Sequence, residues 1–192
     1  MTGVDGANFT SGDFIDFRKG TVTSIKATGN TFVNCIRTFV RADANVICGS
    51  IAVENNTFYG CGTAVSKDNN GIMHVRSGDA TKNPRQITCR KNIFASAQPD
   101  EAALADAASN VQAAGFPHLI SGSSAKIAVP VIADNLFYDL KFEGDYNFWT
   151  NLPSDNIDGA GTVLTESPFT GDPASGKFTV ATAYKGYGDV RW

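Results

Sequence analysis

The sequence predicts an all-β chain: a right-handed parallel β-helix, a single-stranded solenoid, with a short inserted helix and an irregular C-terminal cap. Two observations carry this expectation. A segment with an Asn followed two residues later by a Phe recurs along the chain, and a second strand-like segment recurs upstream of it. Repeats of this kind mark stacked coils, because one unit can bury its apolar face only against its neighbours. Composition agrees, with 19 Gly for tight turns, 13 Phe and only 18% charged residues in 192.

The Asn-x-Phe segments are IKATGNTFVNC (25–35), IAVENNTFYGC (51–61), ITCRKNIFASA (87–97) and PVIADNLFYDL (130–140). They align Asn30, Asn56, Asn92 and Asn135 in one row and Phe32, Phe58, Phe94 and Phe137 in another. The Asn residues lie 26, 36 and 43 positions apart, so loops of different length leave a constant strand register. Stacked Asn amides can hydrogen-bond along the axis, and Asn also tolerates the left-handed backbone of a sharp bend. The Phe rings are expected inside, repeating at the strand spacing of about 4.8 Å. Alternation before each Asn points Ile25 and Ala27, Ile51 and Val53, and Ile87 and Cys89 inward.

The upstream strands are FIDFRKG (14–20), RTFVRAD (37–43) and IMHVRSG (72–78). Alternation buries Ile15 and Phe17, Thr38 and Val40, and Met73 and Val75. It leaves outward rows of Asp16, Phe39 and His74 and of Arg18, Arg41 and Arg76. The competing architecture is a β-sandwich with coincidental turns. Residues 98–115 carry Ala and Leu at helical spacing and read as a helix inserted in the longest loop. The coils occupy 1–142. From about 143 the repeat is lost, and a Gly-, Pro-, Ser- and Asp-rich segment to 192, with one strand at Lys177–Ala181, is expected to cover the open end of the stack.

Several function classes are excluded or disfavoured. A net charge of −3 offers no basic excess for general nucleic-acid binding. No apolar run approaches the roughly 18 residues of a membrane span. The four cysteines, Cys35, Cys48, Cys61 and Cys89, lack zinc-site spacing. Cys35 and Cys61 fall at equivalent positions of successive coils, where a reduced, buried ladder is favoured over a disulfide. No cofactor is required by any motif. Calcium is a weak expectation resting on Asp145, Asn147, Asp155 and Asp158, which lack tight acidic spacing.

The row Arg18–Arg41–Arg76 is the most informative chemical feature. Guanidinium groups stacked at strand spacing repel by roughly 1 kcal/mol per pair in water, and more when desolvated. Asp43 and Asp79 could offset this internally. An anionic sugar chain could do so externally, since Arg pairs bidentately with carboxylate or sulfate. His74 is either an ordinary surface group or a donor to a sugar hydroxyl. Phe39 could stack on a sugar face or lie under a loop. Glu54 and Arg90, equivalent and outward, are expected to pair.

GNTFVNC resembles the rung motif of secreted bacterial β-helix proteins of the chondroitinase B and alginate lyase group. FVRAD (39–43) and HVRSGD (74–79) are similar to their catalytic rung, and ESPFTGDPASGKFTV and GDVRW to their tails. The resemblance implies a secreted or cell-surface protein that acts on an acidic polysaccharide by β-elimination. It makes Lys19 the candidate base, its pKa lowered by neighbouring Arg charges. Arg41 or Arg76 would neutralise the uronate carboxylate or protonate the leaving oxygen. It also assigns Arg18, Arg41, Arg76, His74 and Phe39 to substrate binding. The family's metal-binding Glu pair has no counterpart in GDFIDFRK, the stretch ending at Lys19. That departure favours the alternative of a carbohydrate-binding or adhesion module without the catalytic rung; a structural stalk of a larger surface protein is the third reading. The chain's abrupt start is expected to reflect a piece of a longer protein.

Overall fold

A computed structural model describes residues 15–35, 39–42, 46–61, 73–75, 86–96, 120–122, 129–139 and 161–192. They form an all-β assembly of three parallel sheets. Sheet I contains β1 (Ile15–Phe17), β4 (Val40–Ala42), β7 (Met73–Val75) and β10 (Ile120–Gly122), in that order. Sheet II contains β2 (Gly20–Thr28), β5 (Val46–Glu54), β8 (Gln86–Arg90) and β11 (Val129–Ala133). Sheet III contains β3 (Thr31–Val33), β6 (Thr57–Tyr59), β9 (Ile93–Ala95), β12 (Asn135–Tyr138) and β13 (Gly161–Leu164). Consecutive strands enter consecutive sheets, and every fourth strand returns beside the first. Parallel pairing demands such crossovers, because a tight hairpin can join only antiparallel neighbours.

The corner between sheets II and III explains why the repeat exists. The residue before each ladder Asn adopts positive φ: Gly29 (65°), Asn55 (53°), Lys91 (55°) and Asp134 (58°). The bend was expected at the Asn itself; it falls one residue earlier, and the Asn is kept for its amide. Asn30 Nδ2 donates to Asn56 Oδ1 (3.1 Å), Asn56 to Asn92 (3.2 Å) and Asn92 to Asn135 (3.0 Å). The same acceptor oxygens also take the backbone N–H of Asn30, Asn56 and Asn92. The remaining amide hydrogens go to carbonyls, including Val53 O from Asn92 and Cys89 O from Asn135. Asn56, Asn92 and Asn135 are fully buried, so each orphaned group would cost about 1–3 kcal/mol. A second positive-φ corner follows sheet III at Asn34, Gly60, Ser96 and Asp139.

Inside, Phe32, Phe58, Phe94 and Phe137 stack with ring centroids 5.1, 5.0 and 5.6 Å apart. Ile25, Ala27, Ile51, Val53, Ile87 and Cys89 fill the core from sheet II, as alternation requires. Phe39 differs from expectation. It is 1% exposed, at a bend preceding β4, where strand alternation does not yet apply. Its ring packs 4.3 Å from Phe32 and 5.3 Å from Phe58, so it belongs to the core and offers no face to a sugar.

The segment beyond 142 also departs from the expected end cap. Gly161–Leu164 continues sheet III as a fifth strand, with Phe137 opposite Val163 and Asn135 opposite Gly161. Only glycine fits there, since a Cβ would collide with the Asn135 backbone. The stretch Lys177–Ala181 is one arm of a small antiparallel pairing (Phe169 with Val180) rather than a regular strand. A 3-10 turn at Pro173–Ser175, capped by the Asp172 side chain, joins the arms. This segment then runs along the outer face of sheet III. Phe169, Phe178 and Val180 form a second apolar cluster with Ile93, Ala95 and Leu136, flanked by Val33, Tyr59, Tyr138 and Leu164. The strands β6, β9 and β12 of sheet III are therefore covered on both faces, while β13 stays largely exposed. The proposed helix over 98–115 lies outside the described residues.

Candidate functional site

Sheet I carries two of the residues singled out for chemistry, Arg41 and His74. Its Cα partners form the column Asp16–Arg41–His74–Ser121, flanked by Ile15–Val40–Met73–Ile120 and Phe17–Ala42–Val75–Gly122. The expected row of three arginines does not form. Arg41 lies level with Asp16 and His74, whereas Arg18 sits two positions beyond Asp16 on its own coil. The reason is the bend at Phe39, whose carbonyl accepts the Ile15 N–H at 2.8 Å and so fixes the start of β4. Matching Arg with Arg in the sequence slipped the central coil by two residues. A shift of two preserves the alternation, so the pattern gave no warning. Arg76, Asp43 and Asp79 lie outside the described residues.

In backbone register the column is thus made of unlike residue types, an aspartate, an arginine, a histidine and a serine, on strands about 4.8 Å apart. Asp16 was legible as an outward residue, whereas Ser121 was missed because the short strand Ile120–Gly122 carries no repeat signature. Arg18 and Lys19 are exposed and follow β1, just before the positive-φ Gly20 that opens β2. They occupy the corner between sheets I and II of the first coil.

Sheet II presents a milder surface. Arg90 Nε meets Glu54 Oε1 at 2.5 Å, the pairing expected for these positions. With the Arg90 side chain 55% exposed, solvent screens the pair and limits its value to about 1 kcal/mol or less. Among the described residues no cluster of His, Cys, Asp or Glu is arranged to hold a metal. Asp145, Asn147, Asp155 and Asp158 lie outside them. Among those residues, too, no helix is long and apolar enough to cross a membrane.

The most elaborate polar network holds the C-terminal segment to sheet III. Asp189 is fully buried and accepts from Thr31 Oγ1 (2.8 Å) and from Arg191 Nε (2.9 Å to one oxygen, 3.0 Å to the other), while Arg191 Nη2 pairs with the same carboxylate. Its backbone N–H donates to Thr57 Oγ1. Burial pushes the Asp189 carboxyl up, but the Arg191 and Thr31 hydrogen bonds outweigh it and hold the group below the usual carboxylate value. Trp192 Nε1 donates to Thr31 Oγ1, Asn55 to the Gly186 carbonyl, and the Tyr187 hydroxyl to Asp134. That last bond raises the phenol's pKa, because the proton is held by a carboxylate. These contacts span the sheet from β3 to the corner before β12. Their role is attachment rather than chemistry.

No protein family, curated protein or solved structure matches this chain.

Proposed function

We propose that the chain is a right-handed parallel β-helix of a secreted or cell-surface protein, and that it binds an extended acidic polysaccharide along sheet I. Three parallel sheets visited in rotation from β1 to β12 support the solenoid, and right-handed crossovers are the rule for parallel strands. The observation that carries the glycan reading is the column Asp16–Arg41–His74–Ser121. Repeated strands offer a ladder of groups at fixed spacing to a repeating polymer. Arg41 supplies the charge that pairs with a uronate or sulfate, while His74, Ser121 and Asp16 suit sugar hydroxyls. Sheet III is unsuited to this task because the C-terminal segment covers its outer face.

Binding without cleavage is the favoured form. This reading is supported by the register, in which Arg41 lies level with Asp16 rather than with Arg18. Lys19, exposed at the corner after β1, remains the candidate base should elimination occur. The test combines both outcomes. The chain is titrated with alginate, pectate and chondroitin sulfate by calorimetry, while absorbance near ~235 nm follows unsaturated uronate. Binding that Arg41→Ala weakens about tenfold, with flat absorbance, is the expected result. A rising absorbance abolished by Lys19→Ala would convert the module into a lyase. Absence of binding to any of the three would leave a structural stalk.

A further inference from the structure

Cys35 and Cys61 follow β3 and β6 at equivalent positions of successive coils, since Val33 pairs with Tyr59 two residues earlier in each segment. Both are free, and both are buried at 7% and 2% exposure. Adjacent parallel strands place their Cα atoms about 4.8 Å apart, inside the range a disulfide spans. The Cys61 sulfur also leans toward the first coil: its thiol donates to the Phe32 carbonyl oxygen at 3.4 Å. From this geometry we propose that Cys35 and Cys61 are a thiol pair that oxidises to a disulfide stapling the first coil to the second.

The two sulfurs are not equivalent. The neighbouring Cys61 side chain lowers the Cys35 pKa against the opposing effect of burial. Burial pushes the Cys61 thiol well up, and the Cys35 sulfur adds to the shift. Cys35 is thus the attacking group and Cys61 the resolving one. With a small-molecule disulfide such as glutathione disulfide as oxidant, the Cys35 thiolate attacks one sulfur and expels the first glutathione thiolate. Cys61 gives up its proton and attacks the Cys35 sulfur of the mixed disulfide, expelling the second. Two protein thiols lose two electrons, and one glutathione disulfide becomes two thiols. Cys89 stands apart, fully buried on sheet II beneath the Asn92 amide (3.4 Å to its sulfur) and pushed strongly upward by burial.

The experiment exposes the folded full-length chain to glutathione disulfide, blocks remaining thiols with a maleimide after denaturation, and maps the peptides by mass spectrometry. Loss of two thiols together, with residue 35 linked to residue 61 and a melting temperature raised by several degrees, is the expected result. Cys61→Ser should stop at a mixed disulfide on Cys35, and Cys35→Ser should leave Cys61 unmodified. A linkage through Cys48 or Cys89, or four free thiols after exposure, would overturn the proposal. The wild-type peptide map decides this even if a variant fails to fold.

Discussion

Sheets I and III are wound by the same chain into the same stack, yet they are held in different ways. The first four strands of sheet III are bounded by the same residues: a phenylalanine inside and a ladder amide at the leading corner, with a C-terminal segment across the back of the sheet. Sheet I carries unlike residues in each column, and its register follows from where the chain turns at Phe39. Identity at buried positions is enforced by packing and hydrogen-bond satisfaction, whereas the column on sheet I is free to vary and to acquire ligand chemistry.

The sharpest way to break that contrast is to cut the ring stack. Phe94→Ala removes a ring that is 2% exposed and packed between Phe58 and Phe137, and should cost about 3–5 kcal/mol, read from the urea midpoint. Close behind is Asn92→Ala. It strands the Asn56 N–H and amide on one side and vacates the Asn135 acceptor on the other, for a loss of about 3 kcal/mol by the same measurement. Recovery of most of the Asn92→Ala stability by a neighbouring side chain would show that the ladder is ornamental.

Attachment of the C-terminal segment should respond more gently. Asp189→Asn keeps the shape but loses the charge that Arg191 grips, and should cost about 1–3 kcal/mol, visible as faster amide exchange over 165–192. Acid does the same. Because the folded carboxyl sits below its unfolded value of about 3.9, its stabilisation is complete above that pH and is lost as pH falls through the folded value. Protection of the segment, taken relative to the intrinsic exchange rate at each pH, should therefore be flat from neutral pH to about 5 and fall only below about 4. Glu54→Gln on sheet II is the smallest effect, about 1 kcal/mol or less and diminished further by salt. A larger loss would show that the Arg90 pair is better shielded than its exposure indicates.

The same contrast decides what was legible in the sequence. The Asn and Phe rows could be read directly because each coil repeats the same residue for the same buried reason. The bend was misplaced by one residue because Gly29, Asn55, Lys91 and Asp134 share a backbone conformation and no side-chain identity. The fifth strand of sheet III escaped for a related reason: Gly161 and Val163 replace the Asn and Phe that marked the others. On sheet I, aligning like with like failed, since shared arginines did not set the register and the turn at a core phenylalanine did. The candidate site changed accordingly, retaining Arg41 and His74, exchanging the arginine row for Asp16 and Ser121, and losing Phe39 to the interior.

The ladder of amides also has a sense. Each Asn from 30 to 92 gives one amide hydrogen to the side-chain oxygen of the next ladder Asn and receives none from it, so these side-chain bonds all point one way along the stack. The two ends are therefore chemically unlike: the Asn30 end presents an amide oxygen that only a donor could extend, whereas at the other end both Asn135 hydrogens already go to the Cys89 and Ala133 carbonyls and Gly161 supplies no side chain to continue the row.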